Sequence, residues 1–145
     1  MNVVSPSNQV FRHSKPPKMD FSQPVEHLRE MVLVMEKKIY ESCPRFGTQE
    51  SVTEIPMRDG YMSQLHIVKP GNSSLANPVA VLIFGGAFIM GSNIQSIVWA
   101  RTIAALYGAT VVQPSYRLAP EHKFPAAPND IWDSLKGSHQ LIRHL

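Results

Sequence analysis

The stretch that most restricts the fold is Val79-Ala80-Val81-Leu82-Ile83-Phe84, an unbroken apolar run in which every second residue is β-branched. It shows no polar alternation, so it predicts a strand buried on both faces, the kind found in parallel sheets. Gly85-Gly86-Ala87 ends it, and a helical pattern over residues 94–107 runs up to Gly108. A second apolar run follows at residues 109–112. Strand, helix and strand in that order predict a right-handed parallel crossover, and with it an α/β architecture.

The flanking segments extend this plan. Pro24 suits a first helical turn, and Val25, Leu28, Met31, Val32, Met35 and Ile39 recur at helical spacing up to Pro44, which predicts one amphipathic helix. Residues 52–56 and 62–68 alternate around Asp59-Gly60, the pattern of an antiparallel hairpin. Residues 70–78 form a polar connection whose Asn72-Ser73-Ser74 fits a glycosylation pattern but reads more simply as a turn. From residue 125 onward Pro128-Asn129-Asp130 opens a further helix, with Ile131, Leu135, Ile142 and Leu145 on one face. Alternating strands and helices then ask for another buried strand, so the sheet is expected to be incomplete. Residues 1–22 are rich in Ser, Pro and Asn and are expected to be a disordered tail, leaving residues 23–145 as the ordered unit.

Several function classes drop out on composition. The formal charge of +3 comes from scattered basic residues without an aromatic-interleaved stripe, so no nucleic-acid groove is expected. No apolar run is long enough to span a bilayer and the start lacks the apolar centre of a secretory signal, which implies a cytoplasmic protein. Cys43 is the only cysteine and precedes Pro44 at the end of the predicted helix, where the helix dipole disfavours a thiolate. His139 and His144 are five residues apart, and His13, His27, His66 and His122 stand alone, so neither a metal site nor a cofactor is expected. His122 reads as a solvent-exposed loop residue, Asp130 and Asp133 as acids offsetting a helix dipole, and Arg117 with Glu121 as a pair shaping their loop.

Chemistry concentrates at the carboxyl end of residues 79–84, where open α/β sheets bind ligands. Glycines there let backbone N–H groups approach an anionic oxygen closely, although any tight turn also favours glycine. Downstream, Tyr116-Arg117-Leu118-Ala119-Pro120-Glu121 and Phe124-Pro125-Ala126-Ala127, followed by Asp130, resemble the Y-R-L-A-P-E and F-P-A-A run of the hormone-sensitive-lipase-like esterases. Phe84-Gly85-Gly86-Ala87 stands where that family carries H-G-G-G, with Phe88 and Gly91 also matching. The likeness covers residues 56–145 well and extends loosely to the helix from Pro24, which would be cap-like.

The resemblance implies the amino-terminal part of an α/β-hydrolase sheet, namely a hairpin plus parallel strands with crossover helices behind a cap-like helix. It also implies a carboxylic-ester hydrolase acting on a small ester, whose backbone at Gly85, Gly86 and Ala87 contributes to an oxyanion hole. Phe84, Phe88, Tyr116, Arg117 and Glu121 would line or shape the pocket. The family's nucleophile stands in G-x-S-x-G after the next strand, followed by an acid and a His; none of these occurs among the 145 residues, so the chain alone is expected to be inactive. Two departures from the pattern stand out. Phe84 replaces a histidine and lacks its hydrogen bonds, and Ala87 replaces a glycine, keeping its N–H but adding a Cβ. Alternatives are a non-catalytic small-ligand module of the same fold and a truncated inactive product. In the family's strand order, residues 79–84 would form an open edge inviting self-association.

Overall fold

A computed structural model describes residues 19–72 and 78–142. The tail expected over residues 1–22 lies outside them up to residue 18, as do Ser73, Ser74 and Leu145. Pro24 immediately precedes helix α1 (Val25–Ser42). Strands β1 (Gln49–Pro56) and β2 (Met62–Lys69) form the expected hairpin, with Ile55 opposite Ser63 and Gly60 in the left-handed conformation at the turn. Strand β3 (Val79–Val81), helix α2 (Ile97–Tyr107), strand β4 (Thr110–Pro114) and helix α3 (Ala126–Ile142) complete the order. Gly108 closes α2 in the left-handed conformation, as a residue without a Cβ does readily.

The sheet runs β1-β2-β4-β3, antiparallel between β1 and β2 and between β2 and β4, parallel between β4 and β3. Every residue of β4 is buried, so the burial expected of residues 79–84 is found in β4 instead. On one face Ile55, Met57, Leu65, Ile67 and Val112 cluster, with Ile55 touching Gly137 of α3. On the other, Val68 and Val111 pack against Ile97, Ala100 and Ala104 of α2, with Tyr40 of α1 beside them. That second layer encloses polar groups too. Arg101, 1% exposed, donates from Nε to Glu50 Oε1 at 2.8 Å, Tyr40 Oη donates to Glu50 Oε2 at 2.7 Å, and His66 lies within 3.3 Å of the same carboxylate.

Three expectations are corrected. The strand expected over residues 79–84 is regular only at Val79–Val81 and half-exposed instead of buried on both faces; among the described residues only β4 pairs with it, which leaves the open edge that the resemblance implied. The Leu82 N–H extends the ladder by one bond to the Val112 carbonyl at 2.9 Å. On α1 the buried face runs through Leu28 and Glu36, leaving Met35 and Ile39 largely exposed; the apolar periodicity located the helix but not its orientation. On α3 the deeply buried positions are Ala127, Asp130, Ser134 and Ser138, small or polar residues that let the helix approach the sheet closely. Ile131 and Leu135 border a groove instead.

Candidate functional site

After β3 the chain turns through a loop whose shape only small residues permit. Gly86 sits at φ 138°, and Ala87 and Phe88 follow at 53° and 63°, so three successive residues lie in the half of conformational space that L side chains avoid. A Cβ on Gly86 would stand 2.0 Å from the Met90 carbonyl oxygen, and one on Gly91 would stand 2.6 Å from that of Gly85. The Gly86 carbonyl accepts from Ile89 N–H at 3.0 Å and Met90 N–H at 3.1 Å, closing the turn. Non-glycine residues held at positive φ cost on the order of 1–3 kcal/mol each, and such strain concentrates at functional sites.

The three proposed backbone donors are not equivalent. The Gly85 N–H is engaged, donating to Gln95 Oε1 at 2.9 Å, while Gln95 Nε2 donates to the Gly85 carbonyl at 3.2 Å. Among the described residues the amides of Gly86 and Ala87 have no acceptor; Ala87 is exposed and Gly86 half-buried. Beside them opens a groove of ≈ 380 Å³ walled by Phe84, Phe88 and Tyr116 and, from α3, Ile131, Trp132 and Leu135. Phe84 stacks on Tyr116 with ring centroids 4.0 Å apart, and the Tyr116 hydroxyl donates to the Phe84 carbonyl at 3.0 Å. Phe84 thus braces the loop by ring packing and through its own backbone. Burial pushes the Tyr116 hydroxyl above its ordinary range, which keeps it a donor near neutrality.

Arg117 and Glu121 do not line the groove and do not pair with each other. Arg117 donates from its backbone and guanidinium to buried Asp130 at 2.7–2.9 Å and reaches Asp59 of the hairpin turn at 2.7 Å; these bonds hold its pKa above the usual value. Asp130 therefore anchors the 116–121 loop, rather than merely offsetting a helix dipole. Asp133 instead accepts from Arg58 at 2.8 Å, which holds its carboxyl down to about 2. Glu121 pairs bidentately with Arg29 of α1 at 2.7 and 2.8 Å and is likewise held down to about 2. His122 is exposed.

Sequence reasoning missed the contribution of α1. Arg29 Nε donates to the Ile89 carbonyl at 2.7 Å, and its Nη2 donates to the Ala119 carbonyl, so one side chain joins the glycine loop to the 116–121 loop. Two turns on, buried Glu36 accepts from Ser92 Oγ at 2.5 Å and Gln95 Nε2 at 3.0 Å. Neither residue stands near the loops in the chain, so no local pattern could have announced them. No group of three or more metal-ligating side chains occurs among the described residues, and none of their helices is long and apolar enough to cross a membrane.

A family model described as alpha/beta hydrolase fold matches residues 80–142, the span that contains the strained loop, the groove and both anchoring motifs. The chain carries part of the α/β-hydrolase fold. Within solved structures it superposes on a bacterial heroin esterase with a TM-score of 0.77 and 27% identity, over 86% of its own length and 41% of the esterase. Carboxylesterase 20 of Arabidopsis thaliana is 44% identical over 66 residues, covering 43% of this chain and 20% of that protein. The Gibberellin receptor GID1B of the same plant is 33% identical over 73 residues, covering 49% of this chain and 20% of the receptor. The chain thus spans less than half of the length of these relatives.

Proposed function

We propose that residues 85–88 form the anion-stabilising loop of a carboxylic-ester hydrolase, with the amides of Gly86 and Ala87 as its donors. The observation that supports this reading is the strained turn after β3, whose Gly86 and Ala87 N–H groups have no acceptor among the described residues and lie in sequence between Phe84 and Phe88, two walls of the aromatic groove. Ester hydrolysis builds negative charge on the carbonyl oxygen, and fixed donors at that position favour the transition state over the ground state. Gly85 is left out of the proposed pair because its N–H already donates to Gln95 Oε1. The groove walls would receive an apolar part of a small ester.

The nucleophile, acid and histidine are supplied by no motif in these 145 residues, so the chain alone provides stabilisation without attack. Hydrolysis of p-nitrophenyl butyrate by the purified chain is expected to match buffer. Butyrate, whose carboxylate imitates the product, is expected to shift the ¹⁵N–¹H resonances of Gly86 and Ala87 before others. Turnover above controls would refute the first statement, and an unmoved pair of resonances the second. The likeness to a protein named as a gibberellin receptor favours one alternative, a ligand-binding module using the same groove. In that case an apolar ligand would perturb Phe88 and Trp132 while butyrate left Gly86 and Ala87 unchanged.

A further inference from the structure

We infer that Glu36 of α1 is a positioning residue for the glycine loop, acting through Gln95; the inference rests on the reading of Gly86 and Ala87 as anion donors. Gln95 is itself exposed, and a free glutamine side chain samples many rotamers that would not hold a loop. Here it is held from behind. Glu36, 5% exposed, accepts one Gln95 Nε2 hydrogen at Oε1 and the Ser92 hydroxyl at Oε2, so one buried carboxylate ties both residues to α1. The same amide presents its oxygen to Gly85 N–H and its nitrogen to Gly85 C=O, imitating a neighbouring strand. That contact sets the orientation of the residue immediately preceding Gly86. It leaves the next two amides as the first N–H groups of the loop without an internal partner.

A second anchor makes the arrangement a strap rather than a single contact. Arg29 holds the far side of the loop at the Ile89 carbonyl and grips Ala119 and Glu121 with the rest of its guanidinium. The helix therefore fixes the loop on both sides of Gly86 through polar groups, while its own apolar residues Leu33, Val34, Met35 and Ile39 remain exposed. A helix docked only for burial would turn that apolar side inward.

Hydrogen–deuterium exchange of the full chain, read on the peptide covering residues 82–92, tests the inference. Gln95→Leu and Glu36→Leu are each expected to speed exchange of that peptide by about fivefold to tenfold, the factor for one lost hydrogen bond, with the urea midpoint falling by no more than about 0.7 M, the same free energy read globally. Glu36→Gln, which keeps one carbonyl acceptor for Gln95, should fall between them and the unaltered chain. Unchanged exchange in either leucine variant overturns the inference, as does exchange that speeds equally over the whole chain instead of chiefly in residues 82–92. Should Glu36→Leu fail to fold, Gln95→Leu and Ser92→Ala carry the test. Failure of butyrate to slow exchange in the unaltered chain would remove the anion reading alone; a loop loosened by these variants would still show that α1 positions it.

Discussion

Replacing Arg101 by methionine should cost the fold about 3–5 kcal/mol, the usual penalty for leaving one member of a buried ion pair without its partner. The guanidinium is 1% exposed and makes two contacts to Glu50, at 2.8 and 3.3 Å. Its Nη1 also donates to the Tyr40 carbonyl at 3.0 Å and to that of Cys43, so it satisfies the last carbonyls of α1 and places positive charge at that helix's negative end. Methionine matches the length of the stem but returns none of these bonds. With a urea slope of about 2 kcal/mol per molar for a domain of this size, the midpoint should fall by roughly 2 M. Exchanging Glu50 for methionine as well removes the stranded carboxylate, and the double variant should recover at least about 1.5 kcal/mol relative to the sum of the single changes. The loss should also be smaller at pH 5.5 than at pH 8. Burial chiefly lowers the His66 pKa and Arg101 adds to that lowering, so without Arg101 the imidazole protonates more readily and can partner Glu50 instead. Additive single changes, or a loss below about 0.5 kcal/mol, would show that the pair is not the buried link described.

Acidification should destabilise the unaltered chain from about pH 6.5 downward, readable as urea midpoints across pH. Burial lowers the pKa of folded His66, so its stabilising neutral form is lost as pH falls; burial works against the Glu50 carboxylate, but Arg101 and Tyr40 outweigh it, and its contribution disappears further down. A flat profile between pH 7 and 5 would contradict the assignment. Gly86→Ala should abolish the butyrate response of the Ala87 amide, because a Cβ 2.0 Å from the Met90 oxygen forces the turn open; an unaltered response would refute the close packing. Val81→Lys, placed on the half-exposed edge strand, should reduce self-association in sedimentation velocity while shifting the urea midpoint by no more than about 0.5 kcal/mol equivalent. Persistent association would place the contact elsewhere.

The parts legible in the sequence were those governed by local rules. Asp59-Gly60 marked the hairpin, Gly108 the end of α2, and the six-residue apolar run the start of the crossover, because turn chemistry and periodicity act over a few residues. The texture of the runs did not show which strand would be buried on both faces, although the resemblance implied the open edge at residues 79–84. Residues 79–84 and 109–112 have the same texture, and burial depends on the neighbours that each acquires; β4 received two and β3 one. Polar side chains were misjudged for a related reason. Asp130 looks like an ordinary acid at a helix start, and only the folded chain brings Arg117 onto it. Glu36 lies 59 residues from Gln95, a separation across which no spacing rule operates.

The order of the strands has a consequence for synthesis. Among the described residues β4 is the last strand to leave the ribosome, yet it lies between β2 and β3. Until Pro114 has emerged, the hairpin is a lone two-stranded ribbon, marginal in water, and β3 has nothing to lean on. Most of the sheet must therefore wait and then close in one late insertion, with nascent Val79, Val81 and Ile83 bare to chaperones or to neighbouring polypeptides in the interval.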